Sequence, residues 1–331
     1  MLRRVTGGGA TAPFVGAYGK LPRIGDFVAV HAEKAPAFGF QDWIGRGVDW
    51  ADRKQLAGWP ADFDGRPGAA FTYRPPPSKK HEGILAGAFW ASRDAVGRRY
   101  PFAIFSTVSD EVAKAAPHLL PIVMESFVEQ ALGLQSTLAT VTSAAEVDAV
   151  LGALRPLVLD EGAGRAYESW LASAPARETW ESLYHRPDGE GVMYAIQMIR
   201  ATLAPFQSLE EARTDICVRL PLGRNSAYES AFWLDLVHRI GHAPRAVPTT
   251  IHYPRPGVEG RGLFIALGSE PHPSTLAEAT VGTGDTDQVC DLTVAEPDRS
   301  SMSRLAVLAS ALEASIRSET GTLAHVIDAL G

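Results

Sequence analysis

Three glycines and one proline fall within residues 16–28, GAYGKLPRIGDFV, so this stretch cannot run as a helix interior or as an unbroken strand. The preceding FVGAYG fits a short strand, which makes the remainder of the stretch a loop with a tightly specified backbone. A glycine-rich loop after a strand, with a lysine beside it, is one way to cradle a phosphate. The spacing does not serve that use. A P-loop needs a glycine five residues before the Gly19–Lys20 pair and a Ser or Thr after it, where this chain has Phe14 and Leu21. A dinucleotide loop opens directly into a helix, which Pro22 and Gly25 prevent. No nucleotide or other cofactor is expected here.

The segments after the loop alternate in period. From Pro36 to Leu56, Phe40, Trp43, Ile44, Gly47, Val48 and Trp50 recur at three and four residues, which predicts an amphipathic helix with its apolar face inward. AAFTYR, GILAGAFWASRD and RRYPFAIFSTV read as strands, the last two forming a hairpin over 83–108 through a turn that Asp94 and Gly97 suit. The proline-rich basic stretch 74–83 between the first two reads as a surface loop. Residues 111–206 carry helical spacing with boundaries at Pro117, Pro156, Pro175 and Pro205, predicting four or five helices. Strands return in DICVRLPL, VPTTIHYP and GLFIALG, with a helix over about 227–240 that Gly241 and Pro244 should stop. A loop is expected around GTGDTD, residues 282–287, and two helices in the last thirty residues. The fold expected is α/β: a mixed sheet with helices on both faces, a three-layer αβα sandwich, plus an extra helical region.

The chain is 46% hydrophobic and 21% charged over 331 residues, a balance that fits a globular protein with a sizeable core. No apolar run reaches the length of a membrane span, and the start MLRRVTGGGATAP lacks the apolar core of a signal peptide. A cytoplasmic location is expected, with no direct membrane insertion. The net charge of −7 divides unevenly: residues 1–100 hold 15 Lys and Arg against 9 Asp and Glu, and the remainder 16 against 29. A nucleic-acid partner calls for basic or aromatic modules, which are missing, so none is expected. The two cysteines, Cys217 and Cys290, offer neither a zinc knuckle nor a disulfide framework and read as buried small hydrophobes.

Several residue groups invite a catalytic reading and fail on spacing. In HRIGH, His238 and His242 sit four apart, but Arg239 stands where a zincin has glutamate and Gly241 ends the helix between them. PDGEGV, residues 187–192, reads as a turn, and no Gly-x-Ser-x-Gly elbow occurs. No metal site and no enzyme activity are expected. The alternative is an enzyme that binds a phosphorylated or anionic small molecule through Lys20, Arg23 and Arg98, and a deep pocket uniting the three would favour it.

Two separated motifs point elsewhere. GAYGKLPRIGDFV, a following helix with FQDWI, and then GILAGAFWASRDAVGRRYPF together resemble the N-terminal domain of the TagF (ImpM) family of type VI secretion accessory proteins. Gly19, Lys20, Leu21, Pro22, Gly25, Asp26 and Phe27 match its first motif, Trp43 its helix, and Ser92, Asp94, Gly97, Arg98, Tyr100 and Pro101 its second. The resemblance implies a module over residues 14–130, with 131–331 holding the helical middle, a strand-helix-strand portion and C-terminal helices on the same sheet. It implies a cytoplasmic protein that controls assembly or firing of the secretion machine post-translationally through protein binding. Its implied partners are type VI secretion components, including the forkhead-associated scaffold protein. Within the motifs, Gly19, Pro22 and Gly25 are expected to set the loop path, with Gly25→Val destabilising if its φ is positive. Asp26 should accept loop amides or pair with Arg98. Lys20 should stand free to meet an acidic or phosphorylated partner, and Arg23 belongs with the motif residues as a candidate partner contact.

Overall fold

The computed structural model describes residues 13–33, 36–53, 59–76, 83–158, 161–209, 212, 216–253, 262–268, 271–281, 288–293 and 308–330. β1 (Val15–Gly19) and β2 (Val28–Val30) flank the glycine-rich loop, followed by α1 (Ala37–Arg53) and α2 (Trp59–Gly65). β3 (Ala69–Tyr73), β4 (Ile84–Trp90) and β5 (Phe102–Val108) come next. The helical stretch comprises α3 (Asp110–Ala115), α4 (Leu120–Gly133), α5 (Gln135–Leu138), α6 (Ala144–Leu151), α7 (Glu161–Ser173), α8 (Ala176–Tyr184) and α9 (Glu190–Leu203). After it run β6 (Cys217–Leu220), α10 (Ser226–Ile240), β7 (Thr250–His252), β8 (Leu263–Ala266), α11 (Pro273–Val281), β9 (Val289–Asp291), α12 (Ser310–Arg317) and α13 (Leu323–Asp328). The N-terminal residues 1–12, the basic loop at 77–82 and the loop at 282–287 lie outside the described residues.

The expected α/β sandwich is present. Among the described residues, nine strands form one sheet in the order β2-β1-β5-β4-β3-β7-β8-β6-β9. β4 is buried along its whole length and β5 at six of seven residues, because helices cover both faces. On one face α4 brings Met124, Phe127 and Val128 onto Ala86, Ala88 and Ile104. On the other, α1 presses Phe40, Trp43 and Ile44 onto Phe71, Tyr73 and Phe105, with Leu276 of α11 in the same core. Phe40 stacks on Phe71 at 4.6 Å and Trp43 on Tyr73 at 5.5 Å, contacts that add to the burial of each ring. The 83–108 hairpin forms, in register from Ile84 opposite Val108 to Trp90 opposite Phe102. α1 buries Phe40, Trp43, Ile44 and Gly47 as the periodicity predicts, and leaves Val48 and Trp50 half-buried.

The sheet is mixed, as expected: among the described residues each strand pairing is antiparallel except β6 with β9. The neighbours β1–β2, β3–β4, β4–β5 and β7–β8 are joined by short connections, which force antiparallel pairing because a parallel neighbour needs a long crossover; β1–β5, β3–β7 and β6–β8 pair across longer stretches of chain. One expectation needs correction. The helical middle holds seven helices rather than four or five, because α3 and α5 are single short turns that no hydrophobic period can signal. The proline boundaries hold at Pro117, which opens a 3-10 turn over Pro117–Leu119, and at Pro175, the N-cap of α8. The two halves of the sheet meet at β3 and β7, where Thr72 pairs with Thr250 and their hydroxyls lie 2.8 Å apart.

Candidate functional site

The two motifs meet at Asp94. Its Oδ2 accepts from Lys20 Nζ at 2.7 Å and from Arg98 Nε at 2.6 Å. Its Oδ1 accepts from the amides of Val96 and Arg98 at 3.1 and 2.9 Å. Burial opposes the charged form of Asp94, but the bonds from Lys20 and from the Arg98 amide and side chain outweigh it and hold the carboxyl well below the usual carboxylate range. Arg98 also donates to the Gly25 carbonyl at 2.8 Å, and the Ala95 amide donates to Ile24 O at 3.1 Å. Each bond ties the β4–β5 turn to the glycine-rich loop.

The glycines of the motifs divide by the same geometry. Gly19 has φ +140°, and a Cβ there would fall 2.1 Å from the Pro101 carbonyl, so β1 and the second motif approach backbone to backbone. Gly97 has φ +88° and closes the turn with a 3.0 Å bond from its amide to Asp94 O. Gly25 is absent from the positive-φ glycines, and a Cβ there meets open space. The expected strain at Gly25 therefore belongs to Gly19.

Lys20 does not take the role expected of it, and Asp26 takes one of its two. Lys20 is 4% exposed and locked on Asp94, so it is part of the frame. Asp26 stands exposed, and its Oδ1 accepts from the adjacent Phe27 amide at 2.7 Å, one of the two roles predicted; its pairing with Arg98 does not form because Asp94 holds that position. Leu21 is buried under the sheet, Trp43 in the α1 core, and Pro22 and Arg23 are exposed. Arg23 does not line the cleft that Lys20 and Arg98 border, so the three cations do not share a pocket.

That cleft, of about 950 Å³, lies between the outer face of α1 and the two motif loops. Tyr18, Phe27 and Tyr100 line one wall: Tyr18 stacks on Phe27 at 5.5 Å, and Tyr100 meets both edge-on at 6.0 and 4.8 Å. Lys20 Nζ sits 4.7 Å from the Phe27 ring centre, anchoring that ring from below. Burial, then Tyr18 as neighbour, and then the charges of Asp49 and Asp42 push the Tyr100 phenol far up, so both carboxylates act across the cleft. The opposite wall is α1 with Phe38, Asp42, Asp49 and Asp52. Phe27 and Phe38 are 42% and 54% exposed, two of the four exposed large hydrophobic residues among those described. Phe38, Asp42, Asp49 and Asp52 are not singled out by motif reasoning. The signal was in the helical spacing: they fall off the apolar stripe of α1, where a phenylalanine has no packing role.

Other chemistry-bearing groups sit in the interior. Ser230 and His252 approach to 3.4 Å but are 0% and 3% exposed. His238 is buried in α10, whereas His242 lies beyond the helix end with φ +49°, exposed; the two do not share a helical face. Cys217 is buried, its thiol pushed up to about 12 by burial. Cys290 pairs across from Val218 and Cys217 from Val289, which sends the two sulfurs to opposite faces of the sheet. No helix among the described residues is long and apolar enough to cross a membrane.

A mixed sheet clad on both faces, with two loops pinned on one buried carboxylate under an open aromatic cleft, defines a scaffold of the αβα class with a prepared surface. Residues 16–157 match the family described as TagF N-terminal domain, Type VI secretion system-associated. The chain is also similar to the crystal structure of PA0076 from Pseudomonas aeruginosa PAO1, at 17% identity and a TM-score of 0.47, over 82% of this chain and 96% of that one. No curated protein matches it.

Proposed function

We infer that this protein controls assembly or firing of a type VI secretion system post-translationally, by binding a partner protein at the cleft between α1 and the two motif loops. The observation that carries the reading is the placement of Phe27 and Phe38, exposed rings on either side of one cleft whose floor is rigidly braced. Apolar anchors around a preformed concavity are what protein docking uses, since ordering costs are small where the frame is already fixed. The motif residues Gly19, Lys20, Leu21, Gly25, Asp94, Gly97, Arg98, Tyr100 and Pro101 then act as the frame and Trp43 as its core support, while Pro22, Arg23 and Asp26 form the adjoining exposed rim. The partner belongs to the secretion apparatus, with the forkhead-associated scaffold as first candidate, and the encounter takes place in the cytoplasm. The domain division at residue 130 belongs to this proposal.

The test is complementation of a deletion strain with wild type and with the Phe27→Ser, Phe38→Ser double variant, at matched folded protein. We expect the variant to lose both control of sheath assembly and co-purification of the scaffold. Wild-type control by a folded double variant would place the working surface elsewhere.

A further inference from the structure

This inference rests on the reading of the α1 cleft as a docking site and concerns the chemistry of what docks there. The cations lining the cleft each have a carboxylate partner: Lys20 is buried on Asp94, Arg98 spans Asp94 and the Gly25 carbonyl, Arg99 holds Asp64 of α2 with bonds of 3.0 and 2.7 Å, and Arg46 meets Asp42. The carboxylates on α1 are held more loosely. Asp42 and Asp49 have side chains 68% and 63% exposed, and each meets one arginine of its own helix, Arg46 at 2.9 Å and Arg53 at 3.5 Å. Exposed pairs of this kind contribute little, because water competes for both ends, and they exchange readily. Asp52 has no hydrogen bond or ion pair among the described residues. These three aspartates share the outer face of α1, at spacings of seven and three residues.

The cleft therefore combines apolar surface with unspent negative charge. We propose that it receives a segment of a partner protein in which an arginine or lysine is flanked by apolar residues, the cationic head on Asp49 and Asp52 and the apolar neighbours on Phe27 and Phe38. A long cationic side chain suits both halves of the site: its methylene stem covers aromatic surface, and its head carries donors to two carboxylates. On the α1 wall an acidic segment meets Asp42, Asp49 and Asp52, while the cations of the opposite wall already hold Asp94 and Asp64, so it is disfavoured there.

A random-peptide phage library selected on the immobilised full chain tests this directly, with three variants as parallel targets: Phe27→Ser with Phe38→Ser, Phe38→Ser alone, and Asp49→Asn with Asp52→Asn. Because Phe27 also packs on Tyr18, the single Phe38→Ser variant keeps the test valid if the double one unfolds. The wild type should enrich sequences with Arg or Lys beside apolar residues, bound about tenfold more weakly by the Phe38 variant and by the Asp-to-Asn variant. On the Asp-to-Asn target the cationic preference should vanish while the apolar preference remains. Enrichment of Asp and Glu, or a cationic preference unchanged on that target, overturns the proposed partner chemistry and leaves the cleft as a docking site. Sequences bound equally by the phenylalanine variants, or no enrichment at all, overturn the cleft reading and this proposal together.

Discussion

At the scale of single residues, the determining event is the burial of Lys20 against Asp94. A buried ion pair is costly to assemble and costlier to leave half-made. Lys20→Met strands the Asp94 carboxylate with Arg98 as its remaining charged partner, so stability should fall by about 3 kcal/mol, seen as an earlier midpoint in urea at unchanged slope. Lys20→Glu places a second carboxylate on the first and should lower the folded fraction further. An unaltered midpoint in both would mean that Asp94 is not the hub described. From sequence, Lys20 is expected free at the surface because its partner lies 74 residues away, and nothing in residue spacing reports a contact across that distance.

At the scale of elements, α1 is legible because its apolar stripe recurs at helical spacing, but its glycines are not interchangeable. Gly47 packs on α11, and a Cβ there would lie 2.7 Å from Leu276 Cδ2 and 2.9 Å from its Cβ. Gly45, two residues earlier, faces the cleft, with Tyr100 Oη at 3.7 Å. Gly45→Ala should therefore stabilise by about 0.5–1 kcal/mol through helix propensity. Gly47→Val should destabilise by about 1–3 kcal/mol through overpacking. Thermal melts of the two variants should move in opposite directions; a shared direction would mean that α1 does not seat on α11 through Gly47. The spacing of these glycines says nothing of this difference, since α11 is more than two hundred residues downstream.

At the scale of the whole molecule, buried histidines couple the fold to pH. Burial pushes His252 down to about 4, and burial together with neighbouring His118 pushes His238 down to about 4, partly offset by Asp235. His238 faces the His118 ring at 6.4 Å, while Asp235 binds Arg239 at 2.9 Å and Tyr167 at 3.3 Å. Both histidines have depressed values in the folded chain, so the unfolded chain takes up the protons as pH falls below about 6.5. Their stabilising contribution is complete above that pH and is lost on the way down to about 4. Between pH 7 and pH 5 the loss should be about 2 kcal/mol for each histidine, a fall in Tm of roughly 5–10 °C for the pair. A Tm that is flat across this interval would show that His238 and His252 accept protons in the folded chain.

The sequence by itself determined the elements whose cause is local. Periodicity placed α1, the 83–108 hairpin and α10; the prolines placed helix boundaries; and the two motifs carried the resemblance to the TagF N-terminal domain that residues 16–157 match. Local chemistry acts over a few residues, so spacing records it. The tertiary structure alone decided that Asp94, not Asp26, answers Arg98, that Gly19 rather than Gly25 forbids a side chain, and that β3 and β7 join both halves in one sheet. It also brought Phe27 and Phe38 to a common cleft opposite Asp49. Each of these depends on contacts between segments far apart in the chain, where burial and backbone approach choose the partner and residue spacing carries no trace of the choice.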